Sequence, residues 1–314
     1  MPRKIIIDTD PGQDDAVALL LALASPEELD VIGIVTVAGN VSLAKTTKNA
    51  CKVVELSGRT EIPIYAGSDR PTLRPMLVTA EHVHGPSGLD GPDLPEPSIR
   101  PREKHGVDFL VDAFRANEPG TITLCTLGPL TNVAAALAKA PEIAGLVKEI
   151  VMMGGAYFEV GNITPTAEFN IFVDPKAADI VLKSGIPIVM HPLDVTHRAL
   201  TTRKRLERIA RQGNASGAAV AAMLSFSEKF DLEKYGSEGA PLHDPCVIAY
   251  LLKPDLFRGR TINVSIETAG ELTLGMTVAD YWRITDRPRN VHYIRSLDDE
   301  GFYELLTERL GRLP

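Results

Sequence analysis

The chain has 314 residues, of which 44% are hydrophobic and 24% charged, so it is long enough and apolar enough to bury a core of its own. Its formal net charge of −8 argues against non-specific binding to nucleic acids or anionic membranes, because both favour a basic surface. Three isolated cysteines without a Cys-x-x-Cys motif indicate reduced, buried thiols. The sequence has no run of about 18 apolar residues and no signal-peptide core before Asp8, so we expect a cytoplasmic protein without a membrane span.

The first predicted elements are a strand and a helix joined by an acidic turn. The strand is the β-branched run Ile5 to Ile7, and the helix is the apolar run Val17 to Ala24. Pro11 and Gly12 predict a sharp turn between them, because Pro fixes φ and Gly tolerates positive φ. This short segment contains four aspartates: Asp8, Asp10, Asp14 and Asp15.

The four carboxylates follow a strand, where open α/β sheets bind their ligands. Carboxylates so close to one another repel unless a positive charge lies among them. A divalent cation with oxygen ligands supplies that charge. The structural alternative is that Asp14 and Asp15 favour the helix dipole while Asp8 or Asp10 caps the helix. That alternative explains only some of the four acids.

Three other patterns fit this turn poorly. A phosphate-cradling loop needs further glycines and a lysine, and an EF-hand loop starting at Asp8 needs oxygen ligands where Gly12 and Leu19 stand. A Mg²⁺-dependent phosphohydrolase of the haloacid-dehalogenase type, with Asp8 or Asp10 as nucleophile, also opens with a strand and Asp-x-Asp. It leaves Asp14 and Asp15 unexplained and needs a basic phosphate clamp that the strand ends do not offer.

Strands and helices alternate along the rest of the chain, which predicts an α/β fold. We expect a single domain over residues 1–314, with an open, mostly parallel, Rossmann-like sheet flanked by helices. The further predicted strands are Leu29 to Ala38, Ile62 to Ala66, Thr121 to Thr126, Glu149 to Met153, Ile186 to His191, Thr261 to Glu267, Thr273 to Val278 and Asn290 to Ile294. The further predicted helices cover residues 42–56, 106–116, 131–139, 175–184, 202–211, 215–234, 245–252 and 298–310.

Residues 67–104 form a long Pro- and Gly-rich stretch without a clear period, which is typical of a functional loop. It contains His82 and His84. The alternative is an ordinary solvated surface loop.

Two polar groups follow later strands. Glu168 and Asn170 are two residues apart, so in an extended chain their side chains point the same way and offer acceptors and donors to hydroxyl groups. His243 and Asp244 precede Pro245, which opens a helix. Asp244 would also serve as the N-cap of that helix, but this leaves His243 unexplained.

The segment Asp8-Thr9-Asp10-Pro11-Gly12-Gln13-Asp14-Asp15-Ala16 resembles the N-terminal signature of the nucleoside hydrolases, calcium enzymes that split the N-glycosidic bond of ribonucleosides. The Gly128-Pro129-Leu130-Thr131-Asn132 turn and the segment around His243 are also similar to that family, and the resemblance extends from Lys4 to Leu310. It implies one Ca²⁺ held by Asp10, Asp15, Asp244 and the Leu127 carbonyl.

The resemblance also implies the chemistry. Asp10 would take the proton of a Ca²⁺-bound water, and His243 would protonate the leaving base. Carboxylates near the sugar would favour the positive charge of an oxocarbenium-like transition state. The implied substrate-binding residues are Asp14, Asn40, His84, Met153, Asn162, Glu168 and Asn170.

The expected partner is a small ribonucleoside, and the family suggests a homotetramer or homodimer acting in nucleoside salvage. The preferred base, purine or pyrimidine, stays open. So does the aromatic residue that contacts it, among Phe226, Phe230 and Tyr235. The alternatives to hydrolysis of nucleosides are the Mg²⁺ phosphohydrolase and a non-catalytic protein that binds calcium or nucleosides.

Overall fold

A computed structural model describes residues 1–72, 77–235 and 239–314, with the side chains of residues 229–235 left aside. Its centre is a nine-stranded sheet in the order β10-β9-β11-β6-β5-β4-β1-β2-β3. Two further short strands, β7 and β8, pair with each other. The strands are β1 Arg3–Thr9, β2 Leu29–Thr36, β3 Ile64–Ala66, β4 Ile122–Thr126, β5 Glu149–Met153, β6 Ile188–His191, β7 Leu200–Thr202, β8 Gly239–Pro241, β9 Phe257–Ile266, β10 Thr277–Asp280 and β11 Val291–Leu297.

Helices cover both faces of the sheet. The longest in the described part of the chain is α10, and several of the others are single turns. The helices are α1 Gln13–Leu23, α2 Leu43–Leu56, α3 Glu81–His84, α4 Gly106–Ala116, α5 Thr131–Lys139, α6 Phe169–Val173, α7 Pro175–Leu182, α8 Leu193–Thr196, α9 Arg203–Ala210, α10 Ala215–Tyr235, α11 Pro245–Leu252 and α12 Asp299–Leu310.

In the seven-strand part of the sheet that runs spatially from β3 at one edge to β11, every neighbouring pair of strands is parallel. Beyond β11, β9 and β10 continue the sheet in antiparallel pairing. The order 3-2-1-4-5-6 is that of doubly wound nucleotide-binding sheets. In such sheets the chain reverses its winding between β1 and β4, and a crevice opens at the carboxyl ends of these two strands. The acidic turn after β1 therefore lies where an open α/β sheet binds its ligand.

The core consists of two apolar layers, one on each face of the sheet. Ile5 and Ile7 of β1 pack in one layer and Ile6 in the other, as the alternation of side chains along a strand requires. Helix α1 is buried nearly all round, which explains why its sequence lacks an amphipathic pattern. Because both faces of β1 and nearly all sides of α1 are packed, the turn between them is held rigidly.

The predicted fold class is confirmed, with corrections to individual elements. The stretch 67–104 contains the short helix α3, and the final strands are displaced, with β9 starting at Phe257 and β10 at Thr277. Helix α8 and the strand pair β7/β8 were not predicted, because elements of three or four residues carry too little periodicity to be recognised. In the described residues, no helix combines the length and the apolar character that a membrane span requires.

Candidate active site

The acidic turn joins β1 to α1 and is organised by Asp15. Its carboxylate accepts hydrogen bonds from Gly12 N at 3.0 Å, Asp10 N at 3.2 Å and the Thr9 hydroxyl at 2.5 Å. Gly12 is the N-cap of α1, so the structural alternative in which Asp8 or Asp10 caps this helix does not hold. Asp15 satisfies the backbone donors of its own turn, and this local closure explains why the loop is so tight.

Four aspartates converge there, and we call Asp10, Asp14, Asp15 and Asp244 the acid cluster. Carboxylate oxygens of Asp14, Asp15 and Asp244 lie within 4.8 Å of one another. Asp10 is buried beside Asp15, with only 1% of its surface exposed. Two unit charges at such a distance repel by roughly 3 kcal/mol at an effective dielectric constant of about 20, so the arrangement calls for a positive charge.

One oxygen of Asp10 has no hydrogen-bond partner in the described structure. Asn40 N donates to Oδ2 at 2.7 Å, whereas the buried Oδ1 is unpartnered. The Cα atoms of Gly39 and Gly128 approach this carboxylate so closely that a Cβ on either would collide with it. A buried, unpartnered carboxylate oxygen is costly, and here it is surrounded by backbone with no room for another side chain.

Burial and mutual repulsion act together on these acids. Burial, followed by the charge of Asp15, raises the pKa of Asp10 well above its usual range. Burial and the charges of Asp14 and Asp15 do the same to the pKa of Asp244. Burial raises the pKa of Asp8 to about 7, although Asn132 donates to its Oδ2 at 2.8 Å. A cation among these oxygens would restore their ionised forms.

The Leu127 carbonyl follows β4 on the opposite side of the crevice. Asn170 donates its Nδ2 to this carbonyl oxygen at 2.6 Å and lies 3.4 Å from both the backbone oxygen and the sulfur of Met153. Asn170 therefore links the ends of β4 and β5. A carbonyl oxygen has two lone pairs, so the bond from Asn170 leaves one for another ligand.

Glu168 and Asn170 do not lie in an extended chain, and that prediction was wrong. Glu168 is the N-cap of α6, and Asn170 is in its first turn. The Glu168 carboxylate accepts from Asn170 N, Ile171 N and Gly155 N at 2.9 to 3.2 Å. Backbone donors thus fix the Glu168 carboxylate. In the next residue, Phe169 N donates to Asn162 Oδ1 at 2.8 Å.

The loop 77–105 covers the crevice through the helix α3. Gln13, in the first turn of α1, donates its Nε2 to the carbonyl oxygens of His84 at 3.0 Å and Asp90 at 3.1 Å. The ring Nδ1 of His84 is hydrogen-bonded to Gln13 Oε1. Burial lowers the pKa of His84 to about 4.

His243 lies beside Asp244 at the entrance to α11. Its Nδ1 is 2.8 Å from the hydroxyl oxygen of Thr196 in α8, and its ring centroid is 5.7 Å from that of His197. Because Thr196 is buried in a helix turn, it holds the imidazole in one orientation.

The other two histidines of this region have structural contacts. His191 is fully buried between the rings of Tyr250 and Phe257, 5.2 Å from each, and burial lowers its pKa to about 3. His197 lies 3.6 Å from Glu159. Neither lines the crevice.

A single cleft at the carboxyl edge of the sheet brings the predicted residues together. Its empty volume is about 840 Å³, with the open solvent at its mouth included. Asp10 and Asp15 lie beneath its floor. The predicted residues that line the cleft are Asp14, Asn40, His84, Leu127, Met153, Asn162, Glu168, Asn170, His243 and Asp244.

The comparisons with known proteins agree with this geometry. Residues 5–304 match the family model described as inosine-uridine preferring nucleoside hydrolase. The chain is 57% identical to the "Uncharacterized protein C1683.06c" of Schizosaccharomyces pombe, over 99% of this chain and 100% of that one. It is 49% identical to the "Pyrimidine-specific ribonucleoside hydrolase RihA" of Photobacterium profundum, over 99% of both.

This chain belongs to the inosine-uridine preferring nucleoside hydrolase family. Among solved structures it is similar to the "Purine-Preferring Ribonucleoside Hydrolase from Gardnerella vaginalis", with a TM-score of 0.92, 32% identity and 98% coverage of both chains. The protein is a ribonucleoside hydrolase, as the resemblance predicted, and neither a phosphohydrolase of the haloacid-dehalogenase type nor a non-catalytic binding protein.

Several residues that line the cleft of this nucleoside hydrolase were not singled out from sequence. Most are apolar, and Val83, Ile163, Phe169 and Leu242 lie next to a predicted polar residue, which is the sequence signal that indicates these four. Of the candidate aromatics, Phe226 lines a neighbouring pocket, and the side chains of Phe230 and Tyr235 lie outside the described residues. The additional lining residues are Gln13, Ala80, Val83, Ile163, Phe169, Leu224, Ser227, Pro241 and Leu242, together with His82, which was noted in the loop but given no role.

Proposed function

We propose that this enzyme hydrolyses pyrimidine ribonucleosides to the free base and ribose, with Ca²⁺ in the acid cluster, Asp10 as general base and His243 as general acid. The observation that carries this proposal is the convergence of Asp14, Asp15 and Asp244 under a cleft lined by polar residues. The preference for pyrimidines is supported by the relative named for that specificity, which is 49% identical.

The acid cluster fits a calcium ion. Its donors are oxygens only, which is the ligand chemistry of Ca²⁺, and one Asp10 oxygen is buried without a partner. Asp10, Asp15, Asp244 and the Leu127 carbonyl would hold the ion, and the position of Asp14 beside Asp15 and Asp244 makes it a further candidate ligand. When bound, calcium would supply positive charge for anchoring hydroxyl groups and for making water more acidic.

Asp10 is suited to accept the proton of the attacking water. Its Oδ2 is held by Asn40 N, so the carboxylate is fixed, while Oδ1 has no competing donor. Correct positioning of a general base contributes about 10² to 10⁴ in rate. Gly39 and Gly128 keep other side chains away from the carboxylate.

Asn162, Glu168 and Asn170 are proposed to orient the ribose. Three backbone amides occupy part of the acceptor capacity of Glu168, and a carboxylate has about four acceptor sites, so one is left for a sugar hydroxyl. Because caps and turns immobilise these side chains before substrate arrives, little ordering is needed on binding. Asp14, Asn40, His84 and Met153 complete the proposed sugar site.

His243 is proposed to protonate the departing base. It lines the same cleft as Asp14, and Thr196 fixes its ring. An imidazole has an unperturbed pKa near 6.5, so it exchanges a proton readily near neutral pH. The departing pyrimidine would then leave as a neutral molecule.

A cytoplasmic homotetramer or homodimer acting in nucleoside salvage remains part of the proposal. Sedimentation of the purified protein tests the assembly state. If the enzyme were fully active as a monomer, the proposed homotetramer or homodimer would be refuted, while the proposed hydrolysis of nucleosides would stand.

The test of the proposed function compares uridine, cytidine, inosine and p-nitrophenyl phosphate as substrates of the purified enzyme. We expect release of base from uridine and cytidine, less from inosine, and no phosphate release. A chelator should abolish turnover, and Ca²⁺ should restore it. Turnover of inosine above that of both pyrimidine nucleosides would overturn the specificity, and full activity in chelator would overturn the calcium site.

A further inference from the structure

A second concave site lies on the antiparallel side of the sheet, away from the cleft. Arg258 and Arg260 of β9 line it together with Arg295 of β11, Arg198 after α8, and Tyr281. We call this site the arginine pocket. It shares no lining residue with the active-site cleft.

The positive charges of the arginine pocket have no carboxylate partners among the described residues. Within the part of the chain that the structure describes, no carboxylate oxygen lies within 4.0 Å of these four guanidinium groups, whereas arginines elsewhere are commonly paired, as Arg205 is with Asp299 and Arg309 with Glu28. Such a cluster is unusual in a chain with a net charge of −8.

Two acids that directly adjoin aromatic residues of this site, Glu159 after Phe158 and Asp280 before Tyr281, have other partners. Glu159 lies 3.6 Å from His197. The carboxylate of Asp280 accepts from Ile284 N and from the backbone and hydroxyl of Thr285. Among the described residues, Arg260 Nη1 donates to the Tyr281 carbonyl oxygen at 3.2 Å, and the other N–H groups of the four guanidinium groups are left to an external anion or to solvent.

Aromatic rings hold two of these arginines in place. The guanidinium carbon of Arg295 lies 3.7 Å from the ring centroid of Phe158 and 5.1 Å from that of Tyr281. The guanidinium carbon of Arg260 lies 4.6 Å from the Tyr281 centroid and 5.9 Å from that of Trp282. A ring that covers the face of a guanidinium leaves the N–H groups at its edge available for hydrogen bonding. Two such N–H groups can bind a phosphate in bidentate geometry.

We propose that the arginine pocket binds the phosphate group of a small phosphorylated ligand. The ligand would be held by charge-assisted hydrogen bonds from the guanidinium groups that line the pocket, of which those of Arg260 and Arg295 are already held by aromatic rings. Trp282, which is 68% exposed beside Arg260, offers a ring to the organic part of a phosphate ester. Inorganic phosphate shares the same chemistry but would not use that ring.

The chain contains a single tryptophan, Trp282, which lies beside the pocket residue Arg260, so tryptophan fluorescence reports on the surroundings of that arginine. The calcium-loaded enzyme is titrated with ribose 5-phosphate, with inorganic phosphate and with ribose. We expect a saturable change in Trp282 fluorescence with ribose 5-phosphate and none with ribose. A response to inorganic phosphate of equal affinity would identify the free ion as the ligand, in support of the site.

Arg258→Gln is the test variant, because Arg258 lines the pocket without stacking on an aromatic ring. Loss of one charge-assisted contact should weaken ribose 5-phosphate binding at least about tenfold. Arg203→Gln, on α9 with a 92% exposed side chain, is the matched control and should bind like the wild type. Equal binding by wild type and Arg258→Gln, or no saturation below about 10 mM, would overturn the proposal. A fluorescence change that depends only on protein concentration would also overturn the proposal, because it would show that the pocket contacts a second molecule of this protein.

A separate observation concerns Gln13, which has no role in the proposed chemistry. It is buried at the start of α1, and its Nε2 donates to two backbone carbonyls, those of His84 and Asp90. Only the NH₂ group of an amide donates, so these two contacts determine which end of the Gln13 amide is oxygen. That oxygen faces His84 Nδ1, which must therefore carry a hydrogen.

We infer that Gln13 is a positioning residue that holds His84 with a proton on Nδ1 and leaves its Nε2 as an acceptor. In a neutral imidazole one nitrogen donates and the other accepts, so the bond at one nitrogen decides the role of the other. His84 lines the cleft, and an accepting Nε2 would favour a substrate hydroxyl or base N–H. This consequence for substrate binding rests on the proposed function.

Histidine ¹⁵N shifts of the calcium-loaded enzyme measure the His84 tautomer without substrate. We expect a protonated Nδ1 in the wild type and a changed proton distribution in Gln13→Met, which keeps the side-chain length but has no amide. The matched control is Asn49→Leu. Asn49 donates to Pro11 O in the acidic turn and to Ser87 O in the same loop, so Asn49→Leu loosens the loop without removing the Gln13 amide, and the wild-type tautomer should persist.

The kinetic readout is kcat/KM for uridine. We expect it to fall about tenfold in Gln13→Met, because His84 Nε2 would lose one hydrogen bond to the substrate. A wild-type His84 protonated on Nε2, or an unchanged tautomer in Gln13→Met, would overturn the inference. If the tautomer is as expected but no nucleoside is hydrolysed, the proposed function fails while the role of Gln13 stands.

Discussion

Buried aspartates at the carboxyl edge of the sheet have two different kinds of surroundings. Asp174 accepts from Thr72 N, the hydroxyls of Thr72 and Thr131, and Ala177 N, at 2.7 to 3.1 Å. Asp194 accepts from two backbone amides and from the Tyr293 hydroxyl. Protein donors thus stabilise each of these carboxylates.

The acid cluster is different because its members face one another. Asp10 has an oxygen without a partner, and the charge of Asp14 raises the pKa of both Asp15 and Asp244 after the larger effect of burial. The comparison teaches that burial of an acid does not by itself indicate function. A buried acid whose carboxylate meets only hydrogen-bond donors stabilises the fold, whereas buried carboxylates that face one another favour a cation between them.

The largest expected effect is that of Asp10→Asn on catalysis. The amide keeps the shape but is a far weaker proton acceptor, so kcat for uridine should fall by about 10² to 10⁴. Steady-state assays measure it, with thermal unfolding as the control for folding. Activity within about tenfold of wild type would show that Asp10 is not the base.

His243→Ala should reduce kcat on uridine by roughly 10², since general acids contribute on that scale. A ribonucleoside with an activated leaving group, such as p-nitrophenyl riboside, needs no protonation and should be affected much less. The ratio of the two losses is the measurement. Equal losses would assign His243 to binding or structure.

The two kinds of aspartate should respond oppositely in unfolding experiments. Asp194→Ala leaves three donors without their acceptor, so the free energy of unfolding should fall by about 3 kcal/mol, with or without calcium. Asp244→Asn removes one of several repelling charges and should raise Tm in the presence of chelator. A lower Tm of Asp244→Asn in chelator would contradict our view of the cluster.

The smallest effect is on the pH dependence of the calcium-free protein. The folded pKa of Asp8 is raised to about 7 from an unfolded value near 3.9, so the folded state binds more protons between these values. Tm in chelator should therefore rise as the pH falls from 7 towards 5. Calcium should make this increase in Tm smaller, because it favours the ionised forms of the acids. Identical dependence of Tm on pH with and without the ion would contradict that linkage.

Much of the site could be predicted because its motifs are local. The Asp8 to Asp15 turn needs only a strand, a Pro-Gly turn and a helix, all of which the sequence shows. The arrangement of Glu168 and Asn170 was predicted wrongly, because the five-residue helix α6 depends on its cap and its neighbours rather than on periodicity. Thr196 was missed for the same reason, since α8 is a single turn.

The α/β class, the acidic turn after β1 and the family resemblance follow from the amino-acid sequence, because hydrophobic periodicity and turn chemistry depend on residues that are neighbours along the chain. Only the tertiary structure decided which distant residues meet. It brought Asp244 to Asp14 and Asp15, joined Asn170 to the Leu127 carbonyl, and left the arginines of β9 and β11 without carboxylate partners in the described chain. The reason is that the order of strands in a sheet, and hence the convergence of their ends, depends on packing over the whole chain.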